Sequence, residues 1–255
     1  MKLYKVKGIV LKSREMREAD RMLTLYTLER GKLRAVAHGV NKPSSRKRGS
    51  VQPFCLTDFL LHRGRELDSV SQCQGLEMFA PLREDLSRLT YASYLAELVD
   101  SLTAEEEANR GVFHLLLTCF SLLARLPADS ELVARSFEIR LAGLLGYEPR
   151  LDACVHCQGA VAGQVAFSSK AGGIICQSCR DVWADGIHLD RGALEILRKL
   201  QVWDPAKAVR IRPGPDMGHR LRQVLQGYLQ YYLERKSRSL RFLEVIGPFY
   251  SPEGK

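Results

Sequence analysis

A chain of 255 residues, 45% of them hydrophobic, is long enough for one large domain or for two to three small ones. Its net charge of +9 is unevenly spread: residues 1–50 hold 14 Lys and Arg against 4 Asp and Glu, and the rest holds 24 against 25. A field concentrated at one end favours a polyanionic partner, most simply nucleic acid, over a generally basic soluble surface. No run of 18 apolar residues and no signal-peptide segment is present, so we expect a cytoplasmic protein without a membrane span.

The first 80 residues predict a small β-barrel. Five segments with strand character are separated by turn signals roughly every ten residues. They are Leu3 to Leu11, Arg21 to Leu28, Leu33 to Val40, Phe54 to His62 and Leu67 to Gln72. Five strands with a longer excursion between the third and the fourth are typical of the OB-fold, a platform for single strands. We therefore expect an OB-fold nucleic-acid-binding domain at residues 1–80.

The excursion, residues 41–50, is the most basic part of the chain and contains Pro, Ser and Gly, which predict a loop. Its clustered cations have no acidic neighbour in the loop, so they repel one another unless an anion such as phosphate is bound. The alternative is a solvated, flexible loop. The candidate DNA-binding residues of the barrel and loop are Lys12, Arg14, Arg34, Lys42, Arg46, Lys47 and Arg48. Tyr4 and Tyr26 could stack on bases, although aromatic residues in small barrels more often fill the core.

From Pro81 onward the apolar period becomes helical. The predicted helices are Leu89 to Asp100, Val112 to Leu126, Leu132 to Leu145, Gly192 to Leu200 and about Met217 to Lys236. Val112 to Leu126 is apolar almost all round and predicts a central buried helix. Asp129 and Asp190 are placed to cap helix N-termini, and Gly146 to end a helix. In the last helix we expect Leu221, Val224, Leu225, Tyr228, Tyr231 and Tyr232 on the apolar side.

Four cysteines form two CxxC pairs, Cys154 with Cys157 and Cys176 with Cys179, separated by 18 residues. Two knuckles joined by a hairpin predict one tetrahedral thiolate site, and we expect it to hold one structural Zn²⁺. A thioredoxin-like redox pair would need a preceding βαβ pattern, and a disulfide would need an oxidising compartment. His156 is a rival ligand, but four thiolates already fill the tetrahedron. The scattered Cys55, Cys73 and Cys119 are expected to be buried free thiols.

The fold class that follows is α+β: a five-stranded OB-fold barrel, then an all-helical domain at residues 81–255 with a four-cysteine zinc hairpin inserted at about residues 151–186. We expect no enzyme, because the six histidines are scattered and no phosphate-cradling GxxxxGK[ST] or strand-linked GxGxxG sequence is present. A zinc hydrolase is disfavoured for a further reason: a catalytic zinc keeps an open position, and four thiolates leave none.

The chain resembles the RecO family of bacterial recombination mediators over essentially its whole length. The matching segments are Gly8 to Leu11, Glu18 to Asp20 with Leu23 to Thr27, Gly31-Lys32, Ala37 to Gly39, Lys42-Pro43 with Ser45-Arg46, Gln52 to Phe54, Phe137 to Leu141, Gly146-Tyr147 and the cysteine hairpin. Some members of that family lack the cysteines, so the chain resembles its zinc-bearing branch.

This resemblance implies a DNA repair and homologous recombination protein of the bacterial cytoplasm, associated with the nucleoid. Such proteins bind single- and double-stranded DNA, anneal complementary strands and act on strands coated by single-stranded-DNA-binding protein. With RecR, and in some settings RecF, they help to load the RecA recombinase, and they use no nucleotide cofactor. The alternative that composition leaves open is an RNA-binding or transcription-linked protein with the same barrel and zinc hairpin.

Overall fold

The computed structural model describes residues 2–125, 130–161 and 163–232. The described chain forms two compact units, which divide at residue 128. The strand-to-helix change expected at residue 80 lies inside the first unit, because the helices that follow the strands pack with them. Within the described ranges, no helix combines the length and the apolarity needed to cross a lipid bilayer.

The first unit contains a closed five-stranded barrel, as the sequence predicts. Its strands are β1 (Leu3–Arg17), β2 (Asp20–Thr27), β3 (Gly31–Ala37), β4 (Leu56–His62) and β5 (Asp68–Glu77). The order around the barrel is β1-β2-β3-β5-β4, and antiparallel pairing of β1 with β4 closes it. A short parallel contact joins β3 to β5 at Ala35 and Val36. Alternate residues such as Leu23, Leu25 and Phe59 fill the core.

Strand β1 is six residues longer than the predicted segment, which ended at Leu11. A bulge at Leu11 shifts the register, and from Lys12 to Arg17 the strand pairs with β2 alone. These residues are half-buried or exposed, so they lack the alternation that marks a strand in sequence. The extension leaves one edge of β1 without a strand partner where the Lys12 and Arg14 candidates lie.

Among its described residues the first unit also contains the helices α1 (Pro81–Glu84), α2 (Leu86–Leu102) and α3 (Arg110–Arg125). Asp85 caps α2, its Oδ1 accepting the N–H of Arg88 at 2.8 Å. Helix α3, predicted to be a central buried helix, is buried along one face and not on every side. Phe113 and Phe120 are buried, whereas His114 is exposed, because Thr, Ser, Ala and His residues share the outer face of an amphipathic helix.

The second unit is built on α4 (Ser130–Leu144), α5 (Arg191–Val202), α6 (Pro205–Ala208) and α7 (Pro215–Tyr232). Asp190 caps α5, since its Oδ1 accepts the N–H of Ala193 at 2.7 Å. Gly146 has the left-handed φ of +85° that follows a helix end. The expected cap Asp129 and the end of the last helix at 233–236 lie outside the described residues. Tyr231, expected on the apolar side of that helix, is 53% exposed.

Between α4 and α5 the chain forms the inserted hairpin, with one strand more than predicted. Strands β6 (Val165–Ser168), β7 (Gly173–Cys176) and β8 (Ile187–Leu189) make an antiparallel sheet in the order β7-β6-β8. A short 3₁₀ helix, Gln177–Val182, follows β7. The cysteine cluster lies at the end of this sheet where β7 passes into the 3₁₀ helix.

Candidate metal centre and nucleic-acid interface

The sulfur atoms of Cys154, Cys157, Cys176 and Cys179 all lie within 4.8 Å of one another. The Cys157 and Cys176 sulfurs are 3.8 Å apart. A tetrahedron with metal–sulfur bonds of ~2.3 Å has edges of about 3.8 Å, so the four thiolates fit one tetrahedral ion. His156 is exposed and does not belong to this cluster. The CxxC spacing therefore brings the four sulfurs together as predicted, in an arrangement that could hold one metal ion.

Backbone hydrogen bonds shape the first knuckle. The N–H of Gln158 donates to the carbonyl of Cys154 at 2.9 Å, and the N–H of Cys154 donates to the carbonyl of Gly159 at 3.1 Å. Gln158 takes a left-handed φ of +59° to turn the chain between them. The N–H of Val155 donates to the carbonyl of Ile174 at 2.9 Å, which ties this knuckle to β7 and so to the second pair.

Gly173 lets the two cysteine-bearing segments approach closely through their backbones. The Arg150 carbonyl accepts the N–H of Ile174 at 3.0 Å, and the Arg150 N–H donates to the carbonyl of Gly172 at 3.0 Å. A Cβ on Gly173 would lie 2.2 Å from the Arg150 carbonyl oxygen, closer than any side chain allows. Glycine is therefore required where the segment leading to Cys154 crosses the start of β7.

The electrostatics of the cluster favour a cation. Burial opposes ionisation of Cys154, yet N–H groups of Cys157, Cys176 and His156 aimed at its sulfur lower its pKa to about 6. Burial and the neighbouring thiols raise the pKa of Cys179 to about 12, since four thiolates repel one another. A divalent ion removes that repulsion and lets all four ionise.

The other three cysteines lie away from this cluster. Cys55 and Cys119 are buried as expected, whereas Cys73 is only partly buried. Burial raises the pKa of both the Cys55 and the Cys73 thiols. The Cys55 thiol lies 3.5 Å from the Gly49 and Met78 carbonyls and so helps to close the base of the long loop.

The loop between β3 and β4 presents cations of two kinds. Lys47 donates to the Val70 carbonyl at 3.1 Å, and Arg48 donates to the Asn41 carbonyl at 2.6 Å, so both are oriented by the backbone. Lys42 and Arg46 have no partner among the described residues. None of these four ammonium or guanidinium groups is neutralised by a carboxylate in the part of the chain that the structure describes.

Two candidates on the barrel have carboxylate partners far away in sequence. The Lys12 ammonium lies 2.5 Å from an Asp100 carboxylate oxygen, and the Arg34 guanidinium lies 2.8 Å from Glu105. Arg14 is exposed and has no such partner within the described ranges. The structure thus separates candidates that face a carboxylate from cations that face none among the described residues. Their roles in DNA binding stay predictions.

Arg14 and Lys12 line a cleft of about 510 Å³ in the first unit. Leu11, Phe54 and Leu89 supply apolar walls, and Arg83 adds a third cation. The lining also includes Ser13, Gln52, Pro53, Ser93 and Glu97. Nothing in the sequence indicates Arg83, because it reaches this cleft only through the fold, where it donates to the Pro53 carbonyl at 2.9 Å.

The two tyrosines considered for base stacking lie in different environments. Tyr26 is fully buried, so it fills the core, as aromatic residues in small barrels more often do, and is not available to stack on a base. Burial raises its pKa to about 12. Tyr4 is half-buried, its hydroxyl donates to Asp68, and the Arg30 guanidinium lies 5.0 Å from the ring centroid. One face of Tyr4 is therefore already in contact with a cation.

Asp20 anchors the start of the basic loop, a role that the sequence analysis also missed. One carboxylate oxygen accepts the N–H of Gly39 at 2.9 Å, and the other lies 2.8 Å from Nδ1 of His38. The Gly39 N–H and the His38 ring lower the pKa of Asp20. The N–H of Asn41 donates to the Ala19 carbonyl at 3.1 Å, so the β1–β2 turn and the loop base are joined twice.

Comparison with known proteins gives a consistent result over both units. The family model described as "Recombination protein O N terminal" matches residues 1–79, and "Recombination protein O C terminal" matches residues 83–241. A protein of Pelotomaculum thermopropionicum named "DNA repair protein RecO" is 51% identical, over 97% of this chain and 96% of its own. A protein of the same name from Desulforamulus reducens is 43% identical, over 96% of this chain and 96% of its own. Another, from Desulforudis audaxviator, is 41% identical, over 97% of this chain and 98% of its own.

Proposed function

Because the chain belongs to the RecO family of DNA repair proteins, we propose that it binds single- and double-stranded DNA and anneals complementary strands during recombinational repair. The observation that carries this proposal is the set of cations without carboxylate partners, within the described ranges, on the closed barrel. Arg14, Lys42 and Arg46 keep their full charge, and Lys47 and Arg48 are oriented by single backbone bonds. An unneutralised cluster of this kind is suited to phosphate, which gives affinity without sequence preference.

Annealing on such a surface is electrostatic. Two complementary strands repel one another through their phosphates, and bound cations neutralise that charge locally. Base pairing then supplies the driving free energy, so the protein lowers an encounter barrier and needs no hydrolysis step. The proposed activity is accordingly not enzymatic, and no nucleotide is required.

The cellular setting is proposed from the same family membership. Partners would be single-stranded-DNA-binding protein on coated strands and RecR, with RecF in some settings, before RecA is loaded. The place of action would be the bacterial cytoplasm, at the nucleoid. Support comes from the shared name of the relatives, "DNA repair protein RecO", at up to 51% identity.

The metal centre is proposed to hold one Zn²⁺ through Cys154, Cys157, Cys176 and Cys179. The 3.8 Å sulfur separation and the all-thiolate donor set support zinc over harder ions, which prefer oxygen ligands. Four protein ligands leave no position for substrate, so the ion would stabilise the fold of the hairpin rather than take part in chemistry.

The experiment is a strand-annealing assay with short complementary oligonucleotides, without nucleotide, in matched DNA and RNA versions. We expect faster annealing of DNA than in protein-free solution, with a rate that falls as salt rises. A rate equal to that of the control, or a requirement for ATP, would contradict the proposal. Acceleration confined to RNA would instead favour the RNA-binding alternative.

A further inference from the structure

The second unit carries a basic segment that the overall charge balance conceals. Residues 191–222 hold eight Lys and Arg against three Asp and Glu. The stretch from residue 51 onward is nevertheless near neutral, because acidic residues elsewhere cancel this excess. Within the segment, Trp203 lies directly between the end of α5 and the start of α6.

The position of Trp203 is fixed by its backbone. Its N–H donates to the Lys199 carbonyl at 2.8 Å and ends α5. Arg140 on α4 reaches across to donate to the Trp203 carbonyl at 2.8 Å and to the Gln201 carbonyl at 3.2 Å. These bonds satisfy carbonyls at the helix C-terminus with a cation, a favourable arrangement for a helix dipole. Hydrogen bonds therefore fix the backbone that carries the indole at the C-terminal end of α5.

Two ammonium groups share the indole of Trp203. The Lys207 Nζ lies 4.2 Å from the centroid of the ring and the Lys199 Nζ lies 5.4 Å from it. Lys207 and Arg210 are exposed. Lys199, Lys207 and Arg210 have no carboxylate partner in the described part of the second unit. Asp204, the one acidic residue between 196 and 215, is engaged in capping α6 through the N–H of Ala206 at 2.8 Å.

We propose that this Trp203 surface, formed by Lys199, Val202, Trp203, Lys207 and Arg210, binds a single strand of nucleic acid. Phosphates pair with the ammonium and guanidinium groups, and a base stacks on the indole as the lysines turn toward the phosphates. Val202, which precedes Trp203 in the chain and is 76% exposed, adds apolar surface for the base. A single strand is favoured over an acidic peptide, because every nucleotide offers a phosphate for the cations and a base for the indole, whereas a peptide needs an acidic and an apolar side chain at matching positions.

The inference rests on the proposed function and deepens it. Annealing brings two complementary strands together, and a second contact surface lets the barrel with its loop hold one strand while the second unit holds the other. The Trp203 surface gives the second unit a contact for the other strand. We therefore expect each chain to bind two short single strands at low salt, one on each unit, and to bind one when the Trp203 surface is removed.

The first measurement is tryptophan fluorescence during titration with a short oligo(dT). Oligo(dT) should quench the wild-type protein, and Trp203→Phe should lose that quenching while Trp183 still emits. Equal quenching in wild type and Trp203→Phe would overturn the proposal. Failure of oligo(dT) to quench, together with quenching by a Glu-rich peptide, would overturn it in favour of an acidic protein partner.

The second measurement compares annealing rates and binding stoichiometry of Lys199→Ala/Lys207→Ala with those of Lys170→Ala/Arg180→Ala. The control removes the same charge from exposed cations on the zinc hairpin of the same unit. We expect two strands per chain in the control and one in the Lys199/Lys207 variant, whose annealing should be roughly tenfold slower, or ~1.4 kcal/mol. Equal rates and stoichiometries would refute the inference and leave the proposed function standing. A wild-type protein that binds oligo(dT) at Trp203 but does not anneal would refute the proposed function alone.

Discussion

At the scale of single residues, the basic side chains of the barrel and its loop differ in whether they form an ion pair with a carboxylate. Arg34 contacts Glu105 at 2.8 Å, and Arg30 and Arg63 both contact Glu106. Arg14, Lys42 and Arg46 have no such partner within the described ranges. A phosphate that displaces a carboxylate gains little net charge neutralisation, so the unpaired cations should dominate the salt dependence of binding.

The triple variant Arg14→Ala/Lys42→Ala/Arg46→Ala should therefore bind single-stranded DNA more weakly and with a smaller salt slope. Three lost phosphate contacts at ~0.7 each lower the slope of log K against log[salt] by about 2. The matched control is Arg30→Ala/Arg34→Ala/Arg63→Ala, which removes the same formal charge from paired guanidinium groups. Binding isotherms at four or more salt concentrations give both slopes. An equal decrease in the two variants would show that net charge alone governs binding.

A substitution of Cys176 tests whether the four cysteines hold a metal ion. We expect elemental analysis of the purified, reduced protein to find about one zinc per chain. Cys176→Ser should lose most of that zinc and make residues 151–186 sensitive to protease, while the barrel keeps its cooperative unfolding, since its core belongs to the other unit. Cys73→Ser, a change outside the cluster, should keep full metal content. Metal-free wild-type protein, or a fully loaded Cys176→Ser variant, would contradict the assignment.

At the scale of elements, the β2–β3 turn depends on a glycine for two reasons. Gly31 has a φ of +66°, and a Cβ there would lie 1.9 Å from the Glu107 carbonyl oxygen. Gly39 has nearly the same φ, +68°, but its nearest neighbour would be the Lys42 side chain at 3.7 Å. Comparing substitutions at Gly31 and Gly39 therefore separates the energetic cost of a left-handed backbone from that of a collision between Cβ and the backbone.

We expect Gly39→Ala to lower the free energy of unfolding by ~1 kcal/mol, the cost of the left-handed conformation alone. Gly31→Ala should cost about 3 kcal/mol or more, because the β2–β3 turn must also move away from the 105–107 segment. Denaturant unfolding of both variants, followed by far-UV circular dichroism, measures the difference. Equal losses would mean that the close approach at Glu107 is absent in solution.

The base of the basic loop should respond to acid through Asp20. Because the pKa of Asp20 is lowered in the folded protein, its carboxylate stabilises the loop base above the unfolded pKa of ~3.9, and this stabilisation is lost as pH falls through the lower folded value. Asp20→Ala should lower the hydrogen-exchange protection of the Gly39 amide at pH 7, with the difference shrinking as the pH falls below ~3.9. Glu18→Gln, a nearby exposed change, should leave that protection intact. A wild-type protection that is unchanged by Asp20→Ala would contradict the anchor.

What could be predicted from sequence follows from the range of the interactions. Strand alternation is local, so the barrel was predictable, and the thiolate cluster was fixed by the spacing from Cys154 to Cys179. The ion pair between Lys12 and Asp100 joins residues 88 positions apart, so no local sequence pattern predicts it. Tyr26 was ambiguous for the same reason, since strand alternation places its ring on a face but only the packing of other elements decides whether that face is buried.

At the scale of the whole molecule, excess positive charge is concentrated in two regions, one in each compact unit. Residues 1–50 form the first, on the barrel and its loop, and residues 191–222 form the second, around Trp203. The stretch between them contains the thiolate cluster and most of the acidic residues. A protein with two cationic surfaces and less basic intervening elements is suited to hold two strands without binding along its whole length.

The most direct test of the central proposal is nucleotide-free annealing of complementary DNA strands coated with the cognate single-strand-binding protein, followed by fluorescence quenching. We predict that the wild-type protein accelerates annealing of the coated strands without ATP, at low and at moderate salt. The Arg14/Lys42/Arg46 variant should be slower, and the Arg30/Arg34/Arg63 control close to wild type. Annealing no faster than that of coated strands alone, or a strict need for ATP, would contradict the proposal that this chain is a mediator.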